Sequence, residues 1–321
     1  MADLFSIEPL GEARGGLPLL VQARGAVDLV DALGELRPLI EARLPSCAGV
    51  LLRGFQVGDA ERFRAFAGGF GHALLNYEFG STPRSNVTRG VYTSTEYPPH
   101  QHIPLHNEQA YTREWPLKIW FYCVQAAASG GETPIADSRA IYRDVGAAIR
   151  TRFEERGLMY VRNFGNGLDV AWEQVFNSDD REVVEAYCRA HRIDCQWKDD
   201  GELRTRQVCQ ATARHPFTGD LVWFNQAHLF HVSNLPAEVR ESLLEIVDEE
   251  DLPRNVYYGD GSPIETSLLD DVRGVLEEAK VSFPWYSGDV LMLDNMLAAH
   301  ARAPFSGPRK VVVAMAQGHG S

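Results

Sequence analysis

Four short apolar runs constrain this chain more than any other feature. They are Gly49 to Phe55, Leu117 to Val124, Asp289 to Asp294 and Lys310 to Met315. Each is too short for a core helix, rich in β-branched or aromatic residues, and bounded by turn formers, which is how buried strands read. Ser129-Gly130-Gly131 closes the second run with a turn signal. Helical spacing lies between and outside these runs. It appears over residues 26 to 44, where Leu29, Leu33 and Leu36 repeat and Pro38 is expected to break or restart the helix. It returns over 60 to 70 and over 137 to 156, where Ile141, Val145, Ile149 and Phe153 recur behind a cap at Asp137 or Ser138. Further helices are expected near 182 to 191, over 237 to 249, and over 262 to 280 with Ser262-Pro263 as its start. Strict strand–helix alternation is absent, so a doubly wound sheet is disfavoured. The pattern predicts an α+β fold, with a double-stranded β-helix (jelly-roll) core and helices flanking it.

No repeat, low-complexity tract or Pro/Gly/Ser linker divides the 321 residues, so residues 1–321 are expected to form one domain. Periodicity fails from Asn76 to Pro104, where Gly80, Pro83, Asn86, Gly90, Pro98 and Pro99 dominate. A connection this long is usually functional, and a lid over an active site is the expectation for 76–104.

The formal net charge of −13, with no run of five basic residues, argues against broad binding to nucleic acid or to an anionic membrane surface. No apolar run approaches the roughly 18 residues that span a bilayer, and the N-terminus lacks the features of a signal peptide. The five cysteines follow neither a disulfide framework nor a CxxC metal pattern. A reducing, cytoplasmic setting is expected.

Within Pro104-Leu105-His106-Asn107-Glu108, a strand would turn His106 and Glu108 to the same face. Alone, His-x-Glu is weak, and His100-Gln101-His102 offers a rival pair in the adjacent loop. The C-terminal segment strengthens the first. His300 is followed nine residues later by Arg309, which opens an apolar strand. A guanidinium there calls for a partner, and its planar fork suits a carboxylate. Two histidines and one carboxylate form the facial triad of oxygen-activating iron(II) sites.

These segments resemble the taurine dioxygenase and clavaminate synthase superfamily of iron(II)/2-oxoglutarate-dependent oxygenases, in its natural-product branch. The likeness runs from Gly49 to Met315 and is strongest at Leu105 to Glu108, Gly130-Gly131-Glu132-Thr133 and Asp294 to Met315. Trp223-Phe224-Asn225 and Tyr258-Gly259-Asp260-Gly261 are similar to bacterial members that modify amino acids or tethered acyl groups. The resemblance implies His106, Glu108 and His300 as iron ligands. It implies Thr133 and Arg309 as the anchor for the distal carboxylate of 2-oxoglutarate, with iron(II), 2-oxoglutarate and O2 as cofactor and cosubstrates. Glu108 stands where the taurine enzyme has aspartate. Val313 stands where that enzyme grips its sulfonate with a second arginine, so a small sulfonate is not the expected substrate. Retention of the carboxylate ligand argues against halogenation.

A small-molecule or carrier-tethered substrate is expected, with Asn76, Tyr77, Arg84, Asn107 and Arg302 as its candidate contacts. Hydroxylation, desaturation, epoxidation and ring closure all remain open. His228 and His231 read as structural, and Trp172, Trp223 and Trp285 as core. The competing readings are a zinc-dependent hydrolase and a non-catalytic, metal-binding jelly-roll protein. The first does not account for Thr133 and Arg309 as a carboxylate clamp, and succinate formation dependent on 2-oxoglutarate separates both from the oxygenase.

Overall fold

The computed structural model describes residues 4–10, 16–76, 80, 84–165, 167, 170–199 and 201–320. The run at 117–124 is the middle of a longer strand, Glu114–Gln125, within an eight-stranded sheet. The sheet order is Phe5–Pro9, Leu19–Ala23, Gly49–Arg53, Val290–Asp294, Glu114–Gln125, Lys310–Gly320, Val91–Thr93 and Asn86–Thr88. Only Leu19–Ala23 and Gly49–Arg53 pair in parallel; the other neighbours are antiparallel. The central strands read as continuous apolar runs because both faces of the sheet are covered.

Alternate residues divide between the two faces. Trp120, Tyr122, Met292, Val312 and Ala314 pack against Leu36, Ile40, Phe63 and Phe66 of the helices Leu33–Cys47 and Ala60–Gly68. Ile119, Phe121, Leu291, Leu293, Val311 and Val313 point into an inner core. That core is shared with Ile135, Leu297 and Ala298, which belong to or adjoin a second sheet ordered Ile103–His106, Ala298–Arg302, Ile135–Asp137. A third, four-stranded sheet (Asp194–Trp197, Leu203–Cys209, Leu158–Phe164, Arg254–Tyr258) and the helix Thr266–Ala279 build a further core beside it. The α+β expectation is met at the level of a mixed α/β fold with large sheets. Among the described residues no helix is long and apolar enough to cross a membrane.

Several boundaries differ from the sequence expectation. The first helix starts at Leu33, because Asp28 Oδ1 accepts from the amides of Val30 and Asp31 and closes a turn before it. It then runs through Pro38 and Pro45. An internal proline costs about 3 kcal/mol. Buried Leu36, Ile40 and Leu44 offset this at about 1.5–3 kcal/mol each. Residues 137–156 form two helices, Ser138–Asp144 and Ala147–Arg156, interrupted where buried Val145 turns extended before Gly146. Asp137 caps the first, accepting from the Arg139 amide at 2.8 Å. Ser262-Pro263 does not start the last helix, which begins at Thr266; the Ser262 amide instead donates to Asp260 Oδ1 at 2.9 Å. Among the described residues of the 76–104 segment, Asn86–Thr88 and Val91–Thr93 are three-residue strands and Ile103 opens the next, and Val91–Thr93 joins the large sheet beside Lys310–Gly320. Strands this short show no period.

Candidate metal centre

The inner core has a polar seam where the second sheet faces the large one. His106 closes the strand Ile103–His106 and lies directly across from His300 in Ala298–Arg302. Cross-strand partners project from the same face, so the two rings meet with centroids 4.4 Å apart. The Phe121 ring, from the large sheet, lies 4.9 Å from that of His300. Glu108 arrives by a different route from the one its spacing suggested. It lies beyond the strand, in a turn. Asn295 holds that turn: its Oδ1 accepts from the Glu108 amide at 2.7 Å, and its Nδ2 donates to the Glu108 carbonyl at 3.0 Å. Ligand atoms of His106, Glu108 and His300 then lie within 4.8 Å of one another, the one such group among the described residues.

This donor set fits a divalent metal ion. Burial holds both imidazoles in the neutral form that presents a lone pair. For His106, burial lowers the pKa against the opposing pull of Glu108; for His300, burial and then the charges of His106 and Arg84 hold it well below the usual value. His106 Nδ1 donates to the Pro104 carbonyl at 2.8 Å, leaving Nε2 for a ligand. His300 Nε2 lies 3.9 Å from Glu108 Oε2.

Thr133 and Arg309 line the same cavity as His106 and His300. Thr133 is buried, and its Oγ1 accepts from Trp285 Nε1 at 3.0 Å. Arg309 Nε donates to the Gly131 carbonyl at 2.9 Å, and Nη1 to Ser94 Oγ at 3.4 Å. Burial, then the charge of Arg302, brings its pKa down to about 10, so a desolvated cation stands ready for an anion. Gly131 is needed for this approach: with φ +76°, a Cβ there would sit 2.9 Å from Arg309 Cδ. Phe121, Val311 and Val313 form the apolar wall. The cavity's free volume is about 30 Å³, room for a water or two, so a five-carbon diacid must push aside its rim, which Ser94 and Thr95 help to form. A second cavity of about 160 Å³ adjoins His106 and Glu108 and is lined by Tyr97, His102, Gln226, Phe230 and Arg254 among others.

The substrate candidates fare differently. Arg84 is buried against the metal cluster, with Nη2 donating to Glu108 Oε2 at 2.6 Å. Asn107 is turned into the framework, where its Nδ2 donates to Ser138 Oγ and to the Asn295 carbonyl. Arg302 lines the smaller cavity, and its guanidinium is bonded to backbone. Its Nη1 donates to the carbonyls of Thr95 and Tyr97, and its Nη2 to those of Pro98 and Gln101. Asn76 is exposed beside a separate cavity with Arg113 and His191. Tyr77 lies outside the described residues. Tyr97, Gln226, Phe230 and Arg254, unremarked in the sequence, reach the larger cavity because loops and a third sheet converge there. Asn295 was missed too; its signal is a polar pair, Asp294-Asn295, ending an apolar strand. His228 is structural, bonding the Leu105 carbonyl at 2.8 Å, and burial drives its pKa down to about 4. Trp172, Trp223 and Trp285 are all buried.

Two neutral histidines and a carboxylate, clustered between two sheets with open space beside them, define the class of facial-triad oxygenases. The chain belongs to the taurine catabolism dioxygenase TauD, TfdA family, whose model matches residues 6–315. It is similar to the dapdiamide synthesis protein DdaC of Enterobacter agglomerans, at 38% identity over 98% of this chain and 95% of the relative. A clavaminate synthase-like protein of Arabidopsis thaliana is 33% identical over 86% of this chain and 83% of its own length. PvcB, described as an Fe, alpha-ketoglutarate dependent oxygenase from an isonitrile synthetic pathway, shares the fold, with a TM-score of 0.56, 16% identity, and 98% and 92% of the two chains covered.

Proposed function

We propose that this protein is an iron(II)- and 2-oxoglutarate-dependent dioxygenase that hydroxylates an unactivated C–H bond of an amino-acid-derived or carrier-tethered metabolite in a biosynthetic pathway. The observation that carries this reading is the convergence of His106, Glu108 and His300 within 4.8 Å, beside a cavity that ends in Thr133 and Arg309. Two relatives support it by their descriptions: DdaC by its part in dapdiamide synthesis, and PvcB by its iron and alpha-ketoglutarate dependence. The domain is read as a single double-stranded β-helix, with 76–104 as its lid; the two facing sheets support this.

Iron(II) with 2-oxoglutarate and O2 supplies the oxidising power, placing one oxygen atom in the succinate released with carbon dioxide and the other in the product. The chain's own residues hold and orient. His106 and His300 offer ring nitrogens, and Glu108 offers a carboxylate from a turn that Asn295 fixes on both sides. Arg309 gives a charge-assisted bond to the far carboxylate of the cosubstrate, and Thr133 gives a hydroxyl that Trp285 orients. Phe121, Val311 and Val313 keep water from that end. The primary substrate lies in the larger cavity, where aromatic Tyr97 and Phe230 alternate with polar His102, Gln226 and Arg254. Buried Val313 leaves no cation at the position that would grip a small sulfonate.

The test is succinate release from iron-loaded protein supplied with 2-oxoglutarate under air. It should require both iron(II) and O2, and His106→Ala or Glu108→Ala should abolish it. Zinc-supported turnover without oxygen uptake would refute the reading.

A further inference from the structure

Gln226 lines the larger cavity and is held there through both its backbone and its side chain. It is only 4% exposed and caps the short helix Ala227–Phe230. Its amide donates to the Tyr160 hydroxyl at 2.8 Å, and its carbonyl accepts from the amides of Leu229 and Phe230, each at 3.0 Å. Its side-chain Nε2 donates at 2.7 Å to the carbonyl of Asn107, the residue between His106 and Glu108. A carbonyl oxygen can only accept, so this bond settles which end of the Gln226 amide is which. Nε2 points at the turn that carries Glu108, and Oε1 is turned away from it. Among the described residues no group donates to that oxygen. Oε1 of Gln207 and Oε1 of Gln210 also lack partners but are sealed in protein, whereas that of Gln226 is not. Buried polar atoms are nearly always partnered, and here the open side belongs to a cavity shared with His106, Glu108, Tyr97 and Phe230.

We propose that Gln226 is a substrate-binding residue whose Oε1 accepts a hydrogen bond from an amide N–H of the primary substrate. The proposal rests on reading the larger cavity as the substrate site of an iron(II)/2-oxoglutarate oxygenase. An uncharged acceptor suits an uncharged donor, and the amide N–H is the donor that an acylated amino acid carries, free or tethered. Nε2 is tied to the chain between His106 and Glu108, so the accepted N–H is held at a set distance from the metal, and with it the C–H bonds beside the amide. A molecule without that N–H would bury Oε1 with no partner, so Gln226 selects the substrate as well as orienting it.

N-acetylglycine N-methylamide is the probe, together with two analogues in which an ester oxygen replaces one or the other N–H. Each is titrated into protein loaded with Mn(II) and 2-oxoglutarate while its proton relaxation is followed by NMR. Mn(II) relaxes only nuclei close to it, so the signal reports binding beside the metal. Wild-type protein should bind the diamide about ten-fold more tightly than one of the two esters, the worth of one net hydrogen bond. In Gln226→Met, or in Gln226→Leu should the Met variant fail to fold, all three should bind within about two-fold of one another. A glutamine that merely steadies the Asn107 carbonyl would weaken Mn(II) binding when replaced and leave the amide preference in place, and that result overturns the proposal. So does wild-type protein that binds all three alike, or that holds Mn(II) and relaxes none of them. Wild-type protein that fails to bind Mn(II) would instead overturn the metal reading on which the proposal rests.

Discussion

His300 and Glu108 are held from several directions by regular strands and by Asn295, whereas residues 95–101 on the opposite side of His106 have no strand of their own and are held mainly by the Arg302 side chain, with the Phe305 amide donating to the Pro99 carbonyl at 2.9 Å. On the inner side, the His106–His300 pair is set by strand register, and the turn after it is clamped by three side-chain bonds from Asn295, to the Glu108 amide, the Glu108 carbonyl and the Pro116 carbonyl. On the outer side, the Arg302 guanidinium gathers four backbone carbonyls within a seven-residue stretch. Buried polar groups must find partners. The inner side meets that demand through strand pairing together with Asn295; the outer side meets it mainly through the one guanidinium of Arg302. The first arrangement fixes geometry, and the second lets a segment be released as a piece. The lid proposed for 76–104 would need the second property, and a metal site needs the first.

Asn295→Ala attacks the rigid side and should have the largest effect. It strips partners from three buried backbone groups, so about 3 kcal/mol of stability should disappear on chemical denaturation. Metal affinity should fall about 10–100-fold as Glu108 loosens. If affinity holds while stability drops, the turn is fixed by something other than Asn295. Arg309→Met, at the deep end, should weaken 2-oxoglutarate binding about 30–100-fold, since it removes a charge-assisted anchor worth about 2–3 kcal/mol. It should cost little stability, because the cation is desolvated and, among the described residues, makes two hydrogen bonds to the protein. Equal loss of stability and affinity would mean that Arg309 is a packing residue.

Arg302→Leu separates the two regions most cleanly. It should cost about 2 kcal/mol, speed amide exchange over residues 95–101, and leave metal affinity within about three-fold of wild type. Loss of metal binding would show that the outer segment supports the ligands, and the contrast drawn above would fail. Trp285→Phe is the smallest change. It removes the bond to Thr133 Oγ1, about 1 kcal/mol, and should raise the KM for 2-oxoglutarate roughly five-fold while kcat stays near wild type.

The same contrast explains how much could be read from the sequence. The apolar runs at 117–124, 289–294 and 310–315 were legible because strands covered on both faces must be apolar throughout. The metal residues were legible as types, His106 with Glu108 and His300 ahead of Arg309, although the reason they meet was misread. Glu108 lies off the strand, and the His106–His300 register together with the Asn295 side chain does what alternation was expected to do. The outer segment left no such trace. A strand of three residues has no period, and the bonds of Arg302 to four backbone carbonyls and of Arg84 to Glu108 have no signal in the sequence around them. Pro38 misled because a local penalty was weighed without the buried stripe that outweighs it. In each case the deciding interaction joins residues far apart in the chain, such as Arg302 with Thr95 or Trp285 with Thr133.

The central claim is that His106, Glu108 and His300 hold iron(II) and that 2-oxoglutarate binds beside them. The most direct measurement is an anaerobic titration of the protein with iron(II) and 2-oxoglutarate, followed in the visible spectrum. A weak charge-transfer band saturating at one iron and one 2-oxoglutarate per chain is the predicted result, absent in folded His300→Ala. A folded wild-type protein that binds iron but develops no band, or a band that survives His300→Ala, would contradict it.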